Sequence, residues 1–361
     1  MLEIKPIPTY RRTTKQDKVR KHFIYCIQQW RNLTPEEKEE WKKEGAKLKL
    51  TGYQAYLSWC LKQPFAEFKY EITINNTQNT NTLTDYQILI SVSNDATFCT
   101  DFANDHKYME VYDADMSTML NFYVEEWDTT NKNAKIWVKV PSIPASSTKK
   151  IYLAYNPNRT TPLSNGNNTF IFFDDFEGRT TPDPNKWTVE SGSAVIENGK
   201  LKLVGSSVEN RVVALLTLDT SKDYEWYYKG YASATNNGWG SYIFYVNVNN
   251  TYRYVHRDYY YTTLSQIRLN VCINGVWSDV TTYLSKARDT NPHTLKVRKY
   301  GNTWTILWDN NIASGSHTPQ WASGKAIAPQ TEINFAGTVW IDIVFVRKYA
   351  SPEPTITYTK L

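Results

Sequence analysis

At 361 residues the chain is long enough for two or three domains whose cores need no staples. Aromatic residues make up 14% of it, with 26 Tyr and 13 Trp, a bias towards pleated, half-buried surfaces. The formal charge of +5 is unevenly placed: residues 1–62 carry 14 Lys/Arg against 7 Asp/Glu, and the rest of the chain nets −2, so any electrostatic partner belongs to the N-terminal segment.

That segment opens without an export pattern. Residues 1–22 never set more than two apolar residues together, and a signal peptide needs an apolar run. No stretch of the chain approaches the ~20 apolar residues of a membrane span. Residues 13–62 read as three helices. From Lys15 to Trp30, Val19, Phe23, Ile24, Ile27 and Trp30 form one apolar stripe at spacings of three and four. Thr34-Pro35-Glu36-Glu37 is a helix start, with Thr34 as N-cap, Pro35 at the first helical position and Glu37 closing a capping box. Trp41 anchors that helix and Gly45 weakens its later part. Thr51-Gly52 opens a third, with Tyr53, Tyr56, Leu57 and Cys60 on one side. Residues 1–63 thus form a basic three-helix unit.

From residue 65 the period changes to two. Phe68–Ile74, Tyr86–Val92, Met119–Val124, Ala134–Val140 and Lys149–Tyr155 alternate, with polar turns between them, which predicts a small antiparallel sandwich over 65–157. Residues 158–168 read as a linker. A second β-run fills 169–350, with Asn198-Gly199 and Asn274-Gly275 as type I′ hairpin turns and a hairpin over Leu295–Trp308. Residues 351–361, with Pro352 and Pro354, read as an extended tail. Cys26, Cys60, Cys99 and Cys272 form no CxxC and no Cys/His cluster with zinc spacing, and read as isolated apolar residues. The pair to watch is Cys26 with Cys60, on two helices of one unit, where a bridge requires Cα atoms within ~7 Å.

Four resemblances attach to these residues. Phe172-Phe173-Asp174-Asp175-Phe176-Glu177-Gly178, Asn185-Lys186-Trp187, the Gly199-Lys200-Leu201 hairpin and the closing Val339–Tyr349 run resemble a concanavalin A-like (laminin-G-like) lectin or glucanase domain. The segment with Tyr70–Ile74 and Ile151–Pro157 resembles an uncharacterised β-module that precedes such domains in surface proteins. Leu33–Glu37, Trp41 and Leu50–Leu57 are similar to a small helical element of phage structural proteins, and the basic three-helix pattern is loosely similar to an HMG box. The fold class implied is mainly β: two antiparallel β-sandwich domains, the C-terminal one a concanavalin A-like jelly roll, behind a small N-terminal three-helix unit.

Glucanases of that fold carry Glu-x-Asp-x-Glu on one strand, one carboxylate as nucleophile and another as proton donor. The nearest string here, Trp340-Ile341-Asp342-Ile343-Val344, keeps only the Asp, so no catalytic residue is assigned and a non-enzymatic protein is expected. The acidic run Glu110-Val111-Tyr112-Asp113-Ala114-Asp115 reads as a solvated edge or turn rather than a catalytic pair. Asp174, Asp175 and Glu177 at the start of the domain, with Asp342 on its last strand, are candidate ligands for calcium, a hard cation; the alternative is that the first two cap turns and Asp342 bonds to backbone. For sugar binding the candidates are Trp239, in the loop Asn236–Gly240, and Tyr252, Tyr254, His256, Arg257 and Asp258 on an alternating run. Flat rings stack on sugars while adjacent polar groups fix orientation. These rings equally suit an ordinary sandwich face. Nucleic acid is not the expected partner of the basic unit, because Glu36, Glu37, Glu39, Glu40 and Glu44 give its second helix a mixed, solvated face.

The expectation is therefore a virion or tail-associated structural protein that displays a glycan-binding domain for host attachment. Its N-terminal unit would dock on other virion proteins, and its partner would be a surface glycan. A cell-surface adhesin or envelope protein, extracellular by another route, and a divergent glycosidase acting on surface polysaccharide are the alternatives. A homo-oligomer is compatible with the sequence, although no heptad run supports a coiled-coil stalk.

Overall fold

The computed structural model describes residues 14–62, 66–205, 209–232, 239–246, 252–261, 264–287, 290–331 and 337–361. It is mainly antiparallel β-sheet with three N-terminal helices, and it divides into two compact units. The first comprises the chain up to Asn165 together with Pro354–Leu361; the second is Gly166–Glu353. No helix of the described residues is long and apolar enough to cross a membrane.

In the first unit, α1 (Thr14–Asn32), α2 (Pro35–Lys47) and α3 (Gly52–Cys60) follow the sequence reading. Thr34 caps α2 as expected: its Oγ1 accepts from Glu37 N at 3.2 Å and its own N donates to Glu37 Oε2 at 2.7 Å. A second capping box, between Thr51 and Gln54, starts α3. Gly45 and Gly52 mark a close approach rather than a weak helix. A Cβ on Gly45 would lie 2.7 Å from the Leu50 carbonyl oxygen, and one on Gly52 would lie 2.8 Å from Lys42 N.

The small core gathers Cys26, Tyr56 and Cys60 under Trp30, Leu33 and Trp41, with Trp41 edge-on to Tyr56 at 5.2 Å. Cys26 and Cys60 form a disulfide, their Cα atoms 5.9 Å apart, so these two are not isolated thiols; Cys99 and Cys272 are buried and free. The apolar stripe expected to bury α1 is corrected. Val19, Phe23 and Ile24 are exposed; of the stripe Trp30 packs on the core as expected, joined by Tyr25 and Cys26, which lay outside it.

The strands of this unit form two antiparallel sheets. One runs Leu83–Val92, Asn133–Ile143, Phe122–Asp128. The other runs Thr355–Lys360, Glu67–Asn75, Thr148–Tyr155, Met109–Tyr112. The C-terminal residues, read from sequence as a tail, are thus a strand. They pair with the first β-strand in register from Tyr70↔Lys360 to Asn75↔Thr355, so the whole second unit is inserted between two strands of one sheet. The acidic run is an edge strand leading into a turn, as read, but Glu110 is not solvated. Glu110 is buried, accepting from Asn156 at 2.8 Å, Tyr112 at 2.6 Å and Arg159 at 2.5 Å, while Asp113 pairs with Lys149 and Asp115 organises the turn to Thr118.

The second unit is a two-sheet sandwich around a core that includes Trp226, Trp304, Phe244, Leu269 and Val344. One sheet orders Asn311–Ser316, Thr303–Trp308, His293–Tyr300, Tyr224–Ala232, Thr338–Lys348, Lys200–Val204 and Val195–Glu197, with Phe172–Asp174 pairing Thr338–Lys348. The other orders Val276–Asp279, Leu264–Ile273, Tyr252–Tyr261, Trp239–Ile243, Ala328–Thr331, Arg211–Ala214 and Trp187–Ser191. Both Asn-Gly turns have the positive φ pair of type I′, 53° and 68° at Asn198-Gly199 and 50° and 82° at Asn274-Gly275.

Candidate ligand-binding face

On the sheet ending at Trp187–Ser191, alternation sends Val212, Ala214, Ile243, Ile267, Leu269 and Val271 into the core. The opposite face carries a separate cluster of Val213, Tyr242, Tyr245 and Ala328. Tyr242 and Tyr245 are three residues apart, a spacing that puts residues on opposite faces of a regular strand. Phe244, at φ 48°, ends the strand and turns the backbone, so Ile243 and Phe244 both enter the core and the two tyrosines share the outer face. Their rings stack 5.3 Å apart.

Glu190 reaches the same face by a second irregularity. Arg211 pairs with Ser191 and Val212 with Val189, which leaves Glu190 as the extra residue of a β-bulge. Its carboxylate accepts from Arg211 Nη1 at 2.6 Å and from the Tyr245 hydroxyl at 2.7 and 2.9 Å. Arg211 is buried, with its guanidinium 4.7 Å above the Tyr242 ring. Its Nη2 also donates to Glu209 Oε2 and its Nε to Gln330 Oε1 at 3.2 Å. Glu209 Oε1 accepts from the Tyr242 hydroxyl at 3.1 Å. One guanidinium therefore holds two glutamates, and every oxygen of both carboxylates accepts from a protein donor. Burial, with the hydrogen bond to Glu190 second, pushes the Tyr245 hydroxyl well above the ordinary tyrosine range and keeps it a donor.

A polar row crosses the strands from this network. Arg211 pairs with Gln330, Gln330 with Gly240, Gly240 with Arg257, and Arg257 with Arg268. Gly240 leaves a gap in the side chains of that row. Arg268 pairs with Asp279 at 3.3 Å, and Asn270 donates to the same carboxylate. The Asn270 Oδ1 is buried without a hydrogen-bond partner among the described residues.

The side chains of Trp239, Tyr252, Tyr254, His256, Arg257 and Asp258 lie outside the described residues, and the strand register places their backbones. Tyr252, Tyr254 and His256 pair with Ile273, Val271 and Leu269, so these three positions share the face of Leu269 and Val271, both in the core. Arg257 and Asp258, being successive in one strand, fall on opposite faces. Of the six, Arg257 alone stands in the row of Arg211.

The four candidate calcium ligands are not gathered. Asp174 is buried and accepts from Trp187 Nε1 at 2.6 Å, Phe176 N at 2.9 Å and the Arg179 guanidinium. Asp175 accepts from Glu177 N at 3.3 Å, and Glu177 extends over Gly199. Asp342 sits at a bulge, where Gly230 pairs with Ile341 and Lys229 with Ile343, and forms ion pairs with Lys200 and Lys229. First and last strands are neighbours, Asp174 opposite Val344, yet their carboxylates serve protein partners.

Glu190, Glu209, Arg211, Tyr242, Tyr245 and Gln330 were not among the sequence candidates. Glu209-Asn210-Arg211 ahead of Val-Val-Ala was a usable signal, because residues two apart in a strand share a face. The bulge and the left-handed Phe244 leave no such mark.

A family described as "Domain of unknown function (DUF2341)" matches residues 105–190. No curated protein sequence matches the chain. Among solved structures, the carbohydrate-binding module CBM66 from Bacillus subtilis is 12% identical with a TM-score of 0.37, over 47% of this chain and 97% of that one. The LamAcat structure from Zobellia galactanivorans is 13% identical with a TM-score of 0.38, over 50% and 98%. A β-1,3-glucanase from Mycobacterium marinum is 12% identical with a TM-score of 0.38, over 49% and 98%. At these scores none of the three bears on the residues of the face.

Proposed function

We propose that the second unit is a non-catalytic glycan-binding module and that its ligand lies across the strands on the face of Arg211. The observation that carries this reading is the polar network itself. A buried arginine, two glutamates, a glutamine and two tyrosines stand on the sheet face turned away from the core, where packing alone calls for none of them. Planar guanidinium, amide and carboxylate groups are of the kind that fix sugar hydroxyls; Glu190, the exposed member, would exchange part of its protein bonding for them, and aromatic rings supply the apolar surface. Gly240 stands between Arg257 and Gln330 in the register of that row and adds no side chain to it.

A glycan array probed with the full chain tests this. Arg257→Ala and Glu190→Gln, which open no core, should each weaken retained binding at least tenfold. An array without signal from a folded chain would overturn the reading.

The module's place is part of the same proposal: display on a virus particle or its tail, with the helical unit docked on other particle proteins. Supporting it are the exposed Val19, Phe23 and Ile24 of α1, an apolar strip on a basic unit, and a disulfide suited to a destination outside a reducing cytosol. Detection of the chain in purified particles checks it. A chain found only on cell surfaces would favour the adhesin reading.

A glycosidase is the second reading, favoured by one observation: two glutamates meet on one face. Hydrolysis needs one carboxyl to donate a proton and the other to attack or to activate water. Here both are arranged as acceptors clamped by Arg211. Release of reducing sugar by the wild-type chain, lost in Glu190→Gln, would establish this reading against the first.

A further inference from the structure

The helical unit brings together three side chains with metal-ligand chemistry, although two of them are joined by a covalent bond. His22 and Cys26 are four residues apart on α1 and so lie on one helix face. Cys60, at the end of α3, meets them there. One ring nitrogen of His22 and the sulfurs of Cys26 and Cys60 all lie within 4.8 Å of one another, and this is the one such group among the described residues. The His22 ring is held at that corner, with Nε2 donating to the Cys60 carbonyl at 3.1 Å. Both sulfurs are buried beneath Tyr56 and Trp30.

We infer that His22, Cys26 and Cys60 form a zinc site when the disulfide is reduced, so that α1 and α3 are clasped by a covalent bond in an oxidising compartment and by a metal ion in a reducing one. The physical demand is plain. A three-helix segment of about fifty residues has a small core of its own, to which a cross-link between helices adds. A chain made in a cytosol has its thiols reduced at first. The exchange balances. A dithiol reductant takes up the bond between the two sulfurs, becoming a cyclic disulfide and leaving two protein thiols. Zn²⁺ then binds two thiolates and one imidazole nitrogen with release of two protons, and water completes a tetrahedral set. Two soft sulfur ligands with one imidazole favour zinc over calcium or magnesium.

The test uses the full chain, reduced with a dithiol, desalted without air and titrated with Zn²⁺, and with Co²⁺ as a chromophoric probe. The reduced chain should take up one ion per molecule by native mass measurement. Co²⁺ should give a thiolate-to-metal charge-transfer band, and two thiols should be shielded from a thiol reagent. The oxidised chain should take up none. Cys99→Ser and Cys272→Ser should leave uptake unchanged, Cys26→Ser and Cys60→Ser should abolish it, and His22→Ala should weaken it at least tenfold. A reduced chain that binds no more zinc than Cys26→Ser overturns the inference, as does equal uptake by the oxidised chain. A His22→Ala chain that binds as tightly as its parent removes the imidazole and overturns the three-ligand assignment.

Discussion

Glu225 is fully buried, and its two oxygens accept from Arg347 Nε at 2.8 Å and Arg298 Nε at 2.5 Å. Desolvation alone would raise its pKa, but Arg347 and then Arg298 outweigh it and hold the carboxylate down at about 2. A folded pKa below the unfolded value means stability that is present above the unfolded value and lost as pH falls through the folded one. The contribution of Glu225 should therefore be complete above about pH 4.5 and drain away towards pH 2, as denaturant titrations at stepped pH would show. Glu225→Gln should flatten that decline and destabilise the second unit by about 3 kcal/mol, since the buried Arg347 and the partly exposed Arg298 keep only Glu353 as a charged partner among the described residues. At Arg211 the same physics serves a surface. Tyr242→Phe removes only the hydroxyl that donates to Glu209 and should cost about 1 kcal/mol or less in thermal melts while loosening glycan retention.

Two elements depend on partners far away in sequence. The Cys26–Cys60 bridge closes a separation of 34 residues, which in the chain-entropy picture is worth about 4 kcal/mol to the helical unit. Cys26→Ser without added metal should therefore melt the helices first, seen as lost helical circular dichroism while the β-signal stands. The strand Thr355–Lys360 covers the edge of Glu67–Asn75, and its side chains are tied by Tyr358 to Asp95 at 3.2 Å and by Lys360 to Asp101 at 2.6 Å. Deleting residues from Thr355 onward should strip hydrogen-exchange protection from Glu71–Asn75 and lower the melting temperature of the first unit, because an uncovered edge is an open ladder. Protection unchanged in that strand would show the pairing to be dispensable.

At the scale of the whole chain, the residues of the second unit interrupt the sequence of the first, and only the second has a continuous sequence. Gly166–Glu353 holds its own core and should melt cooperatively when excised, keeping the glycan binding of the whole chain. Residues 14–165 alone lack a strand of their sheet and should not give the melt of the intact first unit. Much of this fold is legible along the chain. Thr34 with Glu37, the two Asn-Gly turns and the switch to a period of two are local signals, acting over a few residues of backbone geometry and solvent exposure. They determined three helices, the strands and the two β-rich segments. What they could not determine is which distant groups meet. The alternation of Tyr252–His256 is visible in sequence, but only register assigns those positions to the face of Val271 and Leu269. Glu190 meets Arg211 through a bulge, and the last six strand residues find a partner some 285 positions earlier. Such pairings are decided by burial and hydrogen-bond satisfaction across the assembled sheets, after the entropy of closing long loops has been overcome. They are therefore properties of the tertiary structure, whereas the kind of element at each place is a property of the sequence.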